Sequence, residues 1–489
     1  MTTDNWQPKS DMRILSILIA FFFISLPGLS QAPLPIHPIP TEEQLAWHEM
    51  EMNAFIHFSI NTFTGKEWGN GDESPSLFNP THFDPLQWTQ LFREVGFRGL
   101  ILTAKHHDGF CLWPTKYSTH SIRHSLFKNG NGDVVGEVAN ACKQHGLKFG
   151  IYVSPWDRNH AAYGRRDYIH YYRKQLKELF SNYAPVFEMW FDGANGGTGY
   201  YGGANESRKI DGRTYYDWQV TIDSVRSWQK DVIFFSDAGP GVRWVGNERG
   251  IAGETNWNLI DADTLYAGKH GIEKILNTGS ETGKFWVPAE TDVSIRPGWF
   301  YRASEDDKVK TPQQLFDIYL TSVGRGSTLL LNIPPDKRGL IHENDIRSLL
   351  GFKKLIDSTF RRNLALHAPV STSHWRNNSP EFSPNNMTDG NKSTYWATDD
   401  DSMNGSFTVT LGNAKPVHYI VLQEFIRLGQ RVKSFSIDAF VDGEWKKIFE
   451  GTTIGYKRIA SVSPIITHRI RVNILASRAC PLISNLEIY

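Results

Sequence analysis

The stretch "PVFEMWFDGANGG", residues 185–197, sets two carboxylates in a run of otherwise apolar side chains. Glu188 lies within the run, and Asp192 stands at its end. Because side chains alternate along a strand, one face carries Val186, Glu188, Trp190 and Asp192. If that face points into a closed barrel, Asp192 reaches the mouth and Trp190 lies beneath it. The stretch therefore predicts a buried strand that ends in a chemically active carboxylate.

Seven more runs of this kind join the first, and together they cover residues 53–59, 99–109, 147–157, 185–193, 231–237, 242–248, 284–292 and 327–335. Unbroken apolar runs are typical of parallel strands that are buried on both faces. Helical patterns separate several of them, and one such helix begins at Asp84-Pro85. The alternation predicts an α/β fold, a (β/α)8 TIM-like barrel. An open doubly wound sheet is the rival, but no glycine-rich phosphate loop follows the first strand.

The composition is that of a globular protein with many aromatic residues. The 489 residues are 40% hydrophobic and 21% charged, which suits two or three domains. The formal net charge is zero, so neither nucleic acid nor an anionic membrane is indicated as a partner. Phe, Trp and Tyr make up 13% of the chain, and flat side chains of this kind stack on sugar rings as well as filling cores. The three cysteines are too few for a disulfide framework.

The N-terminus has the pattern of a secretory signal. Residues 12–32 read "MRILSILIAFFFISLPGLSQA", in which Arg13 precedes a short apolar run and small residues follow it. We therefore expect residues 1–32 to be a cleaved signal peptide. The mature protein is then expected to be exported, either periplasmic or secreted, with no membrane attachment. An uncleaved membrane anchor is the alternative.

The ends of the predicted strands carry the residue types that cleave glycosidic bonds. In a barrel of this class the carboxyl ends of the strands face one mouth. One carboxylate attacks the sugar, a second carboxylic acid protonates the leaving oxygen, and aromatic walls hold the ring. Asp192 is the predicted nucleophile, and Gly193 beside it is expected to let a substrate approach closely. A helix cap or a salt-bridged strand end is the structural alternative for Asp192.

Glu188 and the two adjacent histidines are expected to have roles other than attack on the sugar or metal binding. Glu188 lies deeper in the strand, where an unpaired charge is costly, and this favours a paired structural or orienting group. His106 and His107 are neighbours, so on a strand they point to opposite faces and rarely bind one metal ion. We expect them to bind sugar hydroxyls, with a zinc site as the alternative.

Several motifs resemble glycoside hydrolase family 29, the α-L-fucosidases. They are "AFIHFSINTFTGKEWG" (54–69), "KHHDGFCLW" (105–113), "GIYVSPWD" (150–157), "WFDG" (190–193) and "GPGVRWVGNE" (239–248). The last is similar to the subfamily restricted to α-1,3- and α-1,4-linked fucose. The resemblance implies a retaining double displacement through a covalent fucosyl-enzyme, with no catalytic metal or cofactor. It also implies that the partner is a fucosylated oligosaccharide or glycoprotein glycan.

The same resemblance implies roles for individual residues. Asp192 is the nucleophile and Glu248 is the acid/base, with Glu290 as the competing acid/base. The implied substrate-binding residues are His57, Glu67, Trp68, His106, His107, Tyr152 and Trp299, the last near the fucose methyl group. Desolvation and the charge of Asp192 are expected to raise the pKa of Glu248. Retention predicts a separation of about 5–5.5 Å between the two carboxyl groups.

The last quarter of the chain changes character. A helix over residues 344–362 is expected to close a catalytic domain of residues 33–362. Residues 363–489 alternate in short segments with turn signals, including Asp442-Gly443, and predict a β-sandwich. This tail resembles a discoidin-like carbohydrate-binding module of family 32. Its recognisable loop is "NMTDGNKSTYWAT", residues 386–398.

The resemblance of the tail implies a structural Ca²⁺ held by Asp389, Thr394 and Glu487 together with backbone carbonyls. A turn at Asp389-Gly390 without an ion is the alternative. Sugar binding and a purely structural role are both open for the tail. For the whole protein, two alternatives to a fucosidase stay open. One is a glycan-binding protein with weak or absent catalysis, and the other is an α-L-galactosidase-like exo-glycosidase.

Overall fold

Eight parallel strands close into a barrel in the computed structural model, which describes residues 1–3 and 31–489. The barrel strands are β1 (Met52–Ile56), β2 (Gly99–Lys105), β3 (Lys148–Val153), β4 (Glu188–Trp190), β5 (Ile233–Ser236), β6 (Val242–Trp244), β7 (Ala289–Ser294) and β8 (Thr328–Asn332). Strands that follow each other in the chain are paired, and β8 pairs with β1. The predicted TIM-like barrel is confirmed, with all eight predicted strands in it.

Helices precede or follow most of the barrel strands. In the described ranges they are α1 (Glu42–His48), α2 (Ile60–Thr64), α3 (Pro85–Val95), α4 (Val134–His145), α5 (Arg166–Tyr183), α6 (Trp218–Trp228), α7 (Glu273–Thr278), α8 (Pro312–Thr321) and α9 (Glu343–Thr359). Helix α3 begins where the sequence predicts, because the Asp84 carboxylate accepts two N–H groups of its first turn. It ends at Gly96, whose φ of 106° favours glycine. Helix α9 follows the last barrel strand, as expected of a closing helix.

The alternation of strand and helix fails at one connection. Residues 237–241 join β5 directly to β6, and this segment contains no helix. Its five residues are too few for a helix and its connecting turns, and two of them are glycines. One glycine allows a close approach of the backbone, because a Cβ on Gly241 would lie only 2.7 Å from the backbone oxygen of Phe234. The chain between β6 and β7 is correspondingly long and mostly irregular, and it carries Glu248.

Aromatic side chains fill the interior of the barrel, where Trp190 stacks on Phe235 with ring centroids 3.8 Å apart. Trp190 therefore faces inward, as predicted from the alternation along its strand. Val186 does not share this face, because it packs in the outer hydrophobic cluster. The Gln229 side chain bonds both the N–H and the carbonyl of Val186, at 2.9 and 2.6 Å, so regular strand structure starts only at Glu188.

An antiparallel β-sandwich follows the barrel, as predicted. Its strands are β9 (Val370–Thr372), β10 (Trp396–Ala397), β11 (Gly405–Glu424), β12 (Val432–Val441), β13 (Glu444–Gly451), β14 (Arg458–Ser477) and β15 (Leu482–Ile488). The long strands β11 and β14 pair with two register shifts along their length. Asp442 and Gly443 join β12 to β13 with φ of 55° and 86°, which confirms the predicted hairpin turn.

The sandwich packs directly on the barrel, since Pro33–Tyr489 forms one compact unit. Lys457 of the sandwich pairs with Glu51 of the barrel at 2.5 Å. The predicted signal peptide, residues 1–32, falls almost wholly outside the described residues. Within the described ranges, no helix combines the length and the apolar character needed to cross a membrane.

Candidate active site

A cavity of about 680 Å³ opens at the carboxyl ends of the barrel strands. It is lined by all the predicted catalytic and substrate-binding residues apart from the alternative Glu290, namely His57, Glu67, Trp68, His106, His107, Tyr152, Asp192, Glu248 and Trp299. The two predicted catalytic acids therefore face the same space, although they follow different strands.

Asp192 follows β4, and its carboxylate is held by two donors. The Tyr152 hydroxyl donates to Oδ2 at 2.9 Å, and the Ala194 N–H donates to Oδ1 at 2.6 Å. His107 Nε2 lies 3.8 Å from Oδ2, and 23% of the Asp192 side chain remains exposed. Donors on both oxygens orient the group and stabilise its anion, while the exposed part stays open to a ligand. This is the environment that a carboxylate nucleophile requires.

Gly193 lines the cavity, as the expected close approach of a substrate requires, and it also makes room for a neighbouring carboxylate. A Cβ at this position would collide with the carboxylate of Asp237, the residue that follows β5. Asp237 also lines the cavity, and its Oδ2 accepts the Gly268 N–H at 2.7 Å. Burial raises the pKa of Asp237 to about 6, and the charge of Asp192 contributes to the rise. The mouth thus holds a third carboxyl group close to Asp192.

Glu248 lies at the rim of the cavity on the segment that follows β6. Its Oε2 accepts the indole N–H of Trp299 at 3.2 Å. Desolvation by the surrounding atoms raises the pKa of Glu248, the hydrogen bond from Trp299 opposes the rise, and the charges of Asp192 and Glu67 add to it. The residue is otherwise exposed, so it can exchange protons with water. The predicted direction of its pKa shift agrees with these surroundings.

Glu290 does not line the cavity, so the structure does not favour it as the alternative acid/base. It is fully buried and lies inside the barrel with Glu188. Trp190 Nε1 donates to Glu290 Oε1, and Trp47 Nε1 donates to Glu188 Oε2, both at 3.0 Å. Burial raises the pKa of both acids, that of Glu188 to about 7, and the charge of Glu188 raises the pKa of Glu290 further. The indole of Trp190 lines the cavity above this pair.

Three neutral histidines form one wall of the cavity. Burial lowers the pKa of His57 to about 3 and also lowers the pKa of His106 and His107. The amide nitrogen of Asn332 donates to the Trp299 carbonyl at 2.9 Å, so its oxygen must accept from His57 Nδ1, also at 2.9 Å. His57 Nε2 is then left as a hydrogen-bond acceptor, which suits a sugar hydroxyl.

His107 is oriented in a similar way. The Ser154 hydroxyl donates to the Trp156 carbonyl at 2.7 Å, so it accepts from His107 Nδ1 at the same distance. The neutral ring thus turns an accepting Nε2 toward Asp192. His106 Nδ1 is buried and has no hydrogen-bond partner within the described part of the chain. No group of three or more His, Cys, Asp or Glu residues in that part is arranged to hold a metal ion.

A second wall is built on the loop that carries Trp299, whose ring centroid lies 5.0 Å from that of His57. Glu67 accepts the Trp299 backbone N–H at 2.6 Å with one oxygen and pairs with Arg302 through the other. Glu67 therefore lines the cavity and also fixes the Trp299 loop. Trp68 is half exposed at the entrance, and its ring meets His107 edge-on at 5.2 Å.

The further cavity residues that were not among the predicted site residues include Asp237, Trp244, Asp292 and Arg302. Asp237 and Asp292 each stand at or near the end of a predicted strand, so the rule that selected Asp192 could have selected them. Trp244 Nε1 donates to Asp292 Oδ1 at 2.8 Å, and burial raises the pKa of Asp292 well above its usual range. Arg302 belongs to an irregular loop and gave no signal in the sequence.

The predicted calcium loop of the sandwich brings two of its three predicted ligands together. The Thr394 hydroxyl lies 2.7 Å from Asp389 Oδ2 and 2.7 Å from the Asn391 carbonyl, and such oxygens are the donors that Ca²⁺ prefers. Glu487 contacts neither of the other two in the described part of the chain, because its oxygens accept from Asn485 and Tyr489. The loop fits a calcium ion in its donor chemistry without Glu487.

A closed parallel barrel whose mouth gathers carboxylic acids, neutral histidines and indoles defines a glycoside hydrolase. The sequence model of the α-L-fucosidase family matches residues 24–358. The chain belongs to the α-L-fucosidase family. A second sequence model, that of the F5/8 type C domain, matches residues 368–486 of the sandwich. The predicted boundary between residues 362 and 363 falls between these two matches and stays a prediction.

Relatives are found among plant and bacterial proteins. Alpha-L-fucosidase 1 of Arabidopsis thaliana is 40% identical over 488 residues, which cover 97% of this chain and 94% of the plant protein. A glycoside hydrolase 29 family member from an unknown rumen bacterium is 43% identical with a TM-score of 0.83, covering 94% of this chain and 78% of its own. A Ruminococcus gnavus GH29 fucosidase in complex with fucose is 32% identical with a TM-score of 0.85, covering 95% and 97%.

Proposed function

We propose that this chain is an exo-acting, retaining α-L-fucosidase that releases α-1,3- and α-1,4-linked L-fucose from branched glycans. The observation that carries the proposal is that Asp192 and Glu248 follow different strands and line one cavity. Two donors hold the first acid as an anion, and the surroundings of the second favour its protonated form. Such a pair has the complementary properties that glycoside cleavage requires.

In the first step an oxygen of Asp192 attacks the anomeric carbon of fucose, and the bond from that carbon to the glycosidic oxygen breaks. Glu248 gives its proton to the departing oxygen, so the leaving sugar departs as a neutral alcohol. The product is a fucosyl ester of Asp192 and an ionised Glu248. The raised pKa of Glu248 keeps the proton available for this step to higher pH than in an ordinary glutamate.

In the second step a water molecule attacks the same carbon. Glu248 takes a proton from the water, and the ester bond to Asp192 breaks. The change in charge at Asp192 helps both steps. Asp192 is an anion before the first step, which favours a protonated Glu248, and a neutral ester before the second. The loss of that nearby charge lowers the proton affinity of Glu248 at the point where it must act as a base.

The two walls of the cavity suit a deoxy sugar. Accepting nitrogens on His57 and His107 match the donor side of sugar hydroxyls. The indole of Trp299, near His57, gives an apolar surface for the methyl group that distinguishes fucose from L-galactose. Because an apolar surface rejects an added hydroxyl only partly, by about 10²-fold, L-galactosides are the nearest competing substrates.

The linkage is tested with a panel of oligosaccharides carrying α-1,2-, α-1,3-, α-1,4- or α-1,6-linked fucose. We expect fucose release from the α-1,3- and α-1,4-linked members, with α-L-fucose as the first anomer seen by NMR. The matching L-galactosides are run in parallel. A protein that binds the Lewis-type trisaccharides without releasing fucose supports the glycan-binding alternative, and faster release of L-galactose supports the other.

We also propose export directed by residues 1–32, on the basis of their sequence pattern alone. The test is N-terminal sequencing of protein recovered from the periplasm or medium of cells that express the full chain. A mature N-terminus near residue 33 supports cleavage, and recovery of the intact N-terminus in the membrane fraction supports the anchor.

Calcium binding by the loop of Asp389 and Thr394 is a further proposal, and it concerns stability rather than catalysis. The oxygens grouped around Thr394 support it. Addition of calcium after treatment with a chelator is expected to raise the Tm of the wild type. An Asp389→Asn variant is expected to show a smaller rise, and an equal rise in both proteins would contradict the site.

A further inference from the structure

The sandwich touches the barrel at a place that bears on the acid/base. Residues 245–258, here called the acid/base loop, follow β6 and contain Glu248. Two buried sandwich residues, Gln430 and Thr453, bond the far end of this loop, and they are called the clamp below. The clamp belongs to the sandwich, whereas the loop belongs to the catalytic barrel.

The two clamp side chains form hydrogen bonds with the backbone of the loop. Gln430 donates to the Asn256 carbonyl at 3.0 Å and accepts the Asn258 N–H at 2.8 Å. The Thr453 hydroxyl accepts the Asn256 N–H at 2.9 Å. The side chains of Gln430, Thr453 and Asn256 are all buried, so water cannot replace a lost bond and each break leaves an unsatisfied polar group.

The clamped residue is tied in turn to the strand that precedes the loop. The guanidinium of Arg243, on β6, donates to Asn256 Oδ1 at 3.1 Å and to the Trp257 carbonyl at 2.9 Å. Arg243 is fully buried and lies five positions before Glu248. Both ends of the acid/base loop are therefore joined through one buried network that ends in the sandwich.

A second connection reaches the middle of the loop. Arg325 donates to the Ala252 carbonyl at 2.8 Å, and Arg325 itself forms an isolated β-bridge with Arg458 of the sandwich. Arg458 also donates to the Glu254 carbonyl at 2.7 Å. Thus the sandwich fixes the loop at its far end through the clamp and nearer to Glu248 through Arg325.

We propose that Gln430 and Thr453 are positioning residues for the acid/base, and that the sandwich acts on catalysis by holding the loop that carries Glu248. This inference rests on the proposed function. Proton donation to the leaving oxygen depends on the placement of Glu248, and a displacement of about 1 Å can cost ~10² in rate. The sandwich is then a working part of the active site as well as a neighbouring domain.

The test compares two substrates that differ in their need for an acid. A Lewis trisaccharide has a poor leaving group that must be protonated, whereas α-L-fucosyl fluoride has a good one. We expect the pair of changes Gln430→Leu and Thr453→Val to lower kcat/KM on the trisaccharide about tenfold, and on the fluoride by no more than about twofold. Thr453→Ser, which keeps the hydroxyl, is expected to stay close to the wild type on both.

Two controls separate positioning from stability. Thr467→Val removes another buried hydroxyl of the sandwich, one that donates to the Phe440 carbonyl at 2.8 Å within the sandwich. It is expected to lower Tm and leave both kcat/KM values unchanged. In a Glu248→Ala background the clamp changes are expected to add no further loss on the trisaccharide, because they act through Glu248.

The outcomes are distinct. Equal losses on the two substrates, a loss that adds to that of Glu248→Ala, or full activity of the clamp variant each overturn the inference. If the paired variant does not fold, the single change Thr453→Val, which replaces the hydroxyl by a methyl group, is compared with Thr453→Ser, which keeps the hydroxyl. A wild type that releases fucose from neither substrate overturns the proposed function itself and is seen before any variant is made.

Discussion

Two pairs of carboxylic acids lie in this barrel, and they differ in what surrounds them. Glu188 and Glu290 are fully buried, and each accepts a hydrogen bond from an indole. Asp192 and Glu248 line the cavity at the mouth. Glu188 and Asp192 are only four positions apart in the sequence. The comparison shows that position along one strand separates an acid buried in the barrel from one that lines the cavity.

The two pairs of acids differ in the number of hydrogen-bond donors around each carboxyl group and in its exposure to solvent. The buried pair has one indole for each acid, and their mutual charge and desolvation favour protonation. Asp192 instead has a donor on each oxygen and keeps part of its surface exposed. Glu248 reaches water at the rim while its neighbours raise its pKa. The mouth therefore holds one carboxylate with a donor on each oxygen and a second acid whose pKa is raised, and the proposed double displacement needs this difference.

The largest effect is expected at Asp192. Asp192→Ala removes the proposed nucleophile and is expected to lower kcat on the trisaccharide by at least about 10³-fold. Added azide can attack the anomeric carbon in its place, and the product is expected to be β-L-fucosyl azide. The anomer is read by NMR. An α-configured azide product, or a variant that keeps its activity, would remove Asp192 from the reactive pair.

Glu248→Ala is expected to have the next largest effect. Loss of the acid should lower kcat/KM on the trisaccharide by about 10²–10³-fold and on fucosyl fluoride much less. Because the raised pKa keeps Glu248 protonated to higher pH, the wild-type rate on the trisaccharide should fall as pH rises through that pKa. The variant should lose this limb of its pH profile. A variant that retains the limb would mean that another group supplies the proton.

Asp237 is partly buried, between the buried pair and the pair at the mouth. The change Asp237→Asn is expected to lower kcat/KM several-fold. We expect the negative charge of Asp237, beside Asp192, to stabilise the positive charge that develops on the sugar ring. Asp237→Asn removes this negative charge while keeping an oxygen for the Gly268 N–H. With a pKa of about 6, the wild-type residue loses its charge as pH falls. The ratio of wild-type to variant kcat/KM should therefore shrink toward one below about pH 6. A ratio that does not change with pH contradicts the electrostatic role.

Glu290→Gln should have the smallest effect on activity, within about twofold, because Glu290 does not line the cavity and an amide replaces a carboxyl group whose pKa burial raises well above its usual range. Its effect should appear in stability. Folding raises the pKa of the buried acids, that of Glu188 from 4.5 to about 7, so the folded chain holds a proton that the unfolded chain releases. The unfolding free energy of the wild type then falls as pH rises from about 4.5 to about 7. We expect a weaker fall for the variant in denaturant titrations, and an unchanged slope would contradict the buried proton.

The sequence predicts the barrel well because each barrel strand is a local signal. All eight apolar runs become strands, and the cap at Asp84 and the turn at Asp442-Gly443 need only their immediate neighbours. The alternation of strands and helices predicts a helix between β5 and β6, and this prediction is wrong. The segment of residues 237–241 is too short to hold a helix and its connecting turns, and its glycines already indicate a turn.

The site was predictable where it stands at a strand end and unpredictable where it depends on distant partners. The position of Asp192 at the mouth follows from the alternation of side chains along its strand. The reason for Gly193 lies in Asp237, which is far away in sequence and becomes a neighbour only when β4 and β5 pair. The surroundings of Glu290 are of the same kind, since Trp190 covers it from another strand. No pattern within one segment carries this information.

The amide of Asn332 has a consequence for how sugar choice is divided among residues. It bonds the ring of His57, which accepts hydroxyls in the proposal, and the backbone of Trp299, which faces the methyl group. The two surfaces therefore share one hydrogen-bond partner, the Asn332 amide, so we expect a shift of one surface to move the other. We therefore expect preference for a 6-deoxy ring to depend on both surfaces together, so that a change at His57 or Trp299 also alters the other surface.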